Sequence, residues 1–102
     1  MSAELILLPE ANDDLTRTVA WYEVQRRGLG DEFHSSVKSR LESILFNPEQ
    51  FERLHGNFRR AMVRRFPYAI YFESSEECVT VYGVVHHSRD EHIWRDRIPQ
   101  FD

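Results

Sequence analysis

Phe58–Phe72, FRRAMVRRFPYAIYF, decides how the rest of the chain is read. It reads as two strands broken at Pro67, and Arg59, Arg60, Arg64 and Arg65 fall within seven residues. From Arg53 to Phe72 there are five arginines and no acid, while the whole chain carries −4, so the remainder stands at −9. Charge is segregated along the sequence. An arginine-bearing sheet surface on an otherwise acidic small protein points to an anionic partner. The competing reading, solvated strand faces or pairing with acids of neighbouring helices, stands beside it.

The alternation in the first strand sets Phe58, Arg60, Met62, Arg64 and Phe66 on one face and Arg59, Ala61, Val63 and Arg65 on the other. Ala61 and Val63 are expected to face a helical layer, with Arg59 and Arg65 near the strand ends. That leaves Arg60 and Arg64 on an open face beside Met62. A one-residue slip would reverse the assignment. Tyr68–Glu73 reads as the next strand and the valine-rich Cys78–Val85 as a central one, joined by the polar turn Ser74–Glu77.

Upstream, Leu5–Leu8 is a short apolar run ended by Pro9, suited to a buried strand. Ala11, Leu15, Val19 and Tyr22 then recur at helical spacing behind acidic residues. Trp21 and Tyr22 read as packing residues of this helix. It is expected to end near Gly28, with Arg26 and Arg27 in its last turn. A second helix is expected from Asp31 as N-cap, with Phe33, Val37, Leu41, Ile44 and Leu45 as its stripe and Asn47-Pro48 as its end. So short a corner makes the two helices antiparallel. Glu49–Asn57 reads as a connection with one helical turn around Phe51. The order is an N-terminal strand, a helical hairpin, then a three-stranded antiparallel meander, an α+β fold with helices on one sheet face.

At 102 residues with 41% hydrophobic content, one domain spanning residues 1–102 is expected. Cys78 is alone, so no internal disulfide or cysteine metal framework forms. No apolar run reaches the ~20 residues of a membrane span, and a cytoplasmic location is expected. Neighbouring histidines on a strand face opposite ways, so His86 and His87 do not share an ion, and no metal or cofactor is expected. A pI of 5.7 argues against bulk nucleic-acid binding and leaves room for a local phosphate contact.

Several short stretches, in order, resemble the RelE/ParE superfamily of bacterial type II toxins, and most closely its plasmid-stabilisation, ParE-like branch. They are Asp14-Leu15 with Trp21-Tyr22-Glu23, Gly28-Leu29-Gly30 with Glu32-Phe33, and Asn47-Pro48. Arg59-Arg60, Arg64-Arg65-Phe66-Pro67-Tyr68 and Ile70-Tyr71 follow, then His86, Arg89-Asp90, Trp94 and Arg97. The resemblance implies a growth-inhibiting toxin held by a cognate antitoxin, whose basic segment could meet the acidic helices. ParE-like members inhibit DNA gyrase by binding, without a catalytic set. RelE-like members cut messenger RNA on the translating ribosome with strand lysines and arginines and a C-terminal tyrosine.

Here Lys38 is the only lysine and Trp94 stands roughly where that tyrosine would be. Tryptophan cannot exchange a proton there. The resemblance therefore favours gyrase inhibition, with Arg59, Arg60, Arg64, Arg65, Arg89 and Trp94 as target-binding residues. The alternative is a ribosome-dependent endonuclease with Arg60, Arg64 and Arg89 around the phosphate and His86 or His87 as substitute base. A non-toxic, partner-binding relative is the third reading. Arg89-Asp90 also reads as a local ion pair fixing the exit turn.

Overall fold

The computed structural model describes residues 4–90 and 92–97; the side chains of Ile93 and Trp94 lie outside this description. Strand β1 (Glu4–Leu7) leads through Pro9 into α1 (Pro9–Gln25), and α2 (Leu29–Phe46) follows after a tight corner. Proline opens α1 because a first-turn N–H has no intrahelical acceptor. A 3-10 turn at Pro48–Gln50 leads into β2 (Glu52–His55), β3 (Phe58–Met62), β4 (Tyr68–Ser74), β5 (Cys78–His86) and the short α3 (Ile93–Arg97). The sheet order is β1-β5-β4-β3-β2. β1 runs parallel to β5 with Leu5 opposite Val79, and the other pairs are antiparallel. The valine-rich β5 is therefore interior, as its composition predicts.

The helical hairpin covers one sheet face. Ala11, Phe33, Val37 and Ile44 from the helices close over Ala61, Val63, Ile70, Phe72, Val79, Val81 and Val84 from the sheet, all buried. A smaller cluster of Ala69, Tyr71 and Val85, with Leu54 against it, is buried on the opposite face. Met62 on β3 remains 40% exposed.

Four boundaries depart from the sequence reading. The stretch expected as a connection with one helical turn holds β2 after the 3-10 turn, so the meander has four strands. Its register shifts between Arg53 and His55, which removes the alternation that would announce a strand. α1 stops at Gln25, and Arg26 and Arg27 lie in the corner. α2 begins at Leu29, before Asp31. Its N-cap is Gly28 in the left-handed region (φ 89°), and Glu23 of α1 accepts hydrogen bonds from the N–H groups of Gly28 and Gly30 at 2.9 and 3.0 Å. The cap comes from another helix, so no local signal marks it.

Finally, β3 ends at Met62. Val63 N–H still donates to the Tyr68 carbonyl at 2.8 Å, but Arg64–Pro67 is a turn with Arg65 at φ 69°. Ala61 and Val63 face the helices as expected. Arg64 and Arg65 leave the sheet, because Pro67 has no N–H for the ladder and the left-handed residue turns the chain.

Candidate functional site

The arginines of the decisive stretch go to three places. Arg59 lies on the helical side of β3, and its Nη1 donates to the Phe51 carbonyl at 2.9 Å. Arg60 lies on the opposite side and pairs with Glu52 of the neighbouring strand, Nε to Oε1 at 3.0 Å. Its side chain is only 18% exposed. Arg64 and Arg65 are exposed in the β3–β4 turn. Arg89 follows β5 at the same end of the sheet as that turn, where Tyr68 pairs with His86 and the His87 N–H donates to the Pro67 carbonyl.

Arg64 and Arg65 form one wall of a groove of about 670 Å³; the other wall is Ser35, Ser36, Ser39, Arg40 and Ser43 of α2. The serines sit at positions 35, 39 and 43 because a four-residue step stays on one helical face. Val37, Leu41 and Ile44 use the core-facing side of α2. Arg40 lies over the Phe51 ring, 5.6 Å from its centroid.

Arg89 lines a second cleft, of about 460 Å³, between α1 and the end of β5. Asp14, Arg17, Trp21, Tyr68, Asp90 and Arg97 share its walls. Arg89 Nε reaches Asp90 at 3.4 Å, the local ion pair expected from sequence, and Nη2 is 3.5 Å from the Tyr68 hydroxyl. Both are long, so Arg89 keeps most of its capacity for an external anion. Trp21 corrects its sequence assignment: it is 54% exposed at this cleft. Tyr22 takes the inward position, and a neighbouring helical residue points about 100° away. The two rings meet edge-on with centroids 5.0 Å apart. Burial, then the adjacent Tyr68, holds the Tyr22 phenol above its usual pKa and keeps it protonated.

His86 packs edge-on against Tyr68 at 5.4 Å. Its Nδ1 accepts hydrogen bonds from the backbone N–H groups of Ser88 and Arg89 at 3.3 and 3.0 Å. That assigns the proton to Nε2 and uses the free lone pair to fasten the exit turn. The exposed His87 donates its own N–H to the Pro67 carbonyl. The side chain of Trp94 lies outside the described residues.

Asp14 has one function the sequence did not disclose. Its carboxylate is 5% exposed, accepts the Val84 N–H at 3.0 Å and pairs with Arg97. β1 ends opposite Val81, so Asp14 takes over the open edge of β5 beyond it. The serine spacing on α2 was readable from sequence; the meeting of Asp14 with Arg97 was not.

The comparisons with known proteins agree with this architecture. No curated protein sequence matches the chain. The family model described as ParE toxin of type II toxin-antitoxin system, parDE, matches residues 5–91. A solved structure of a chromosomal ParDE TA system from P. aeruginosa superimposes with a TM-score of 0.71 at 12% identity, over 82% of this chain and 95% of that one. At that identity the superposition speaks for the fold, and the family match, covering most of the chain, carries the assignment. The chain belongs to the ParE toxin family of type II toxin–antitoxin systems.

Proposed function

We propose that the protein is a growth-inhibiting toxin that acts by binding DNA gyrase and is neutralised by a cognate antitoxin. The observation that carries the proposal is that the candidate chemical groups are already engaged within the fold. Ribonucleolytic cleavage needs a base, cations at the phosphate and an acid within reach of one another. Here Arg60 is engaged with Glu52, Arg64 and Arg65 lie in the β3–β4 turn, and His86 spends its Nδ1 lone pair on two backbone N–H groups. A binding inhibitor needs only shape and charge. Arg64, Arg65 and Arg89 are the open cations for target contact; Arg59 and Arg60 would first exchange the partners they hold. Membership of a toxin–antitoxin family supports the antitoxin as partner.

The test is a supercoiling assay with purified gyrase, relaxed plasmid, ATP and the folded chain. Blocked supercoiling or trapped linear DNA is expected, weakened by Arg89→Ala. Unimpaired supercoiling together with codon-phased message cleavage on induction would replace this reading with ribosome-dependent cleavage.

A further inference from the structure

The groove between α2 and the β3–β4 turn has an unusual lining. Ser35, Ser36 and Ser39 line it with hydroxyls, Ser43 donates its own back to the Ser39 carbonyl at 3.3 Å, Arg40, Arg64 and Arg65 bring guanidinium groups, and no carboxylate lines it. Arg17, Arg26, Arg60, Arg89 and Arg97 all pair with carboxylates. Among the described residues, Arg27, Arg40, Arg53, Arg59, Arg64 and Arg65 have no such pair, and three of these six, Arg40, Arg64 and Arg65, line this one groove. Guanidinium groups that line a groove without a carboxylate leave their outward N–H groups to an external anion. The Phe51 ring holds Arg40 in place, so little ordering entropy is lost when an anion arrives.

We propose that this groove binds the phosphodiester backbone of a nucleic acid strand. Two features select a phosphodiester over other anions. Hydroxyl donors and planar guanidinium forks together match the several oxygens of a phosphate. Ser35 to Ser43 also extends ~12 Å along the helix, whereas phosphates on one strand advance ~3.4 Å along a duplex axis, so the groove takes a run of phosphates and not one ion. With a net charge of −4, the chain as a whole repels nucleic acid, so the contact is local and salt-sensitive. The proposal does not depend on gyrase being the target.

The experiment is an NMR titration of the full ¹⁵N-labelled chain with a thymidine hexanucleotide, and separately with hexaglutamate. The oligonucleotide is expected to shift the amides of Ser35, Ser36, Ser39, Arg64 and Arg65 and the Arg40 Nε–H resonance. With three cations engaged, affinity falls about 20-fold between 50 and 200 mM salt. Arg64→Ala with Arg65→Gly removes the response, and Ser39→Ala weakens binding about fivefold. All three positions are outside the buried core, and the dispersion of the same spectra reports folding. Shifts confined to other surfaces, or affinity unchanged in these variants, would overturn the proposal. Tighter binding of hexaglutamate would also overturn it and give the groove to an acidic protein segment.

Discussion

Arg65 sits at φ 69°, where a side chain costs roughly 1 kcal/mol and glycine costs almost nothing in sterics. The backbone alone would prefer glycine there; an arginine is kept where its side chain lines the groove. Arg65→Gly is therefore expected to leave stability within ~1 kcal/mol of the wild type in urea denaturation. Arg65→Val is expected to cost about 2 kcal/mol, because a β-branched residue is a true outlier in that region. Equal midpoints for the glycine and valine variants would mean that the turn relaxes freely. His86 teaches a related lesson at this scale. In the sequence it was a candidate base; in the fold its ring nitrogen organises a turn. Residue type advertised proton chemistry, but the hydrogen bonds that decide it come from backbone groups two and three positions away.

Among the elements, the helical hairpin turns on two glycines with different reasons. At Gly28 a side chain would meet nothing within 4 Å, and only φ 89° restricts the residue. At Gly30 the conformation is ordinary, but a Cβ would lie 2.6 Å from the Val19 carbonyl oxygen, which belongs to the backbone of α1. Gly30→Ala must push the helices apart and disturb the Glu23 cap; a loss of about 2 kcal/mol is expected. Gly28→Asn, which tolerates the left-handed region, is expected to cost less than ~1 kcal/mol. Denaturation midpoints in the reverse order would contradict this account of the corner. The existence and type of these helices, and of β4 and β5, were legible because their apolar spacing spans whole elements; β1 was legible as a strand but not as buried, since it forms the sheet edge with Leu5 and Ile6 exposed. β2 was not, since four residues with a register shift carry no period. Nor was the start of α2, whose N–H groups are accepted by Glu23 of another element.

Across the whole molecule, charge segregation was legible but its destination was not. The strand arginines read as divided between two faces, with Arg60 and Arg64 on the open one, yet the strand ends at Met62 and the two following cations swing toward α2. The contact that joins the ends of the fold was equally silent, because Asp14 and Arg97 are 83 positions apart. Arg97 is 19% exposed and Asp14 is 5% exposed, so this pair is largely desolvated, and Arg97 also reaches the Tyr82 carbonyl. Removing one partner of such a pair strands the other charge, which outweighs the modest net gain of the pair itself. Arg97→Ala is expected to cost about 3 kcal/mol, since the remaining partner Arg17 is 72% exposed and screened by water. Adding Asp14→Asn to Arg97→Ala is expected to recover part of that loss: the amide oxygen still accepts the Val84 N–H, and no buried charge is left unanswered. Urea midpoints for the wild type, Arg97→Ala and the double variant decide the matter. A double variant less stable than Arg97→Ala would mean that the Asp14 charge is answered by water or Arg17 alone, and that this pair is not what fastens α3.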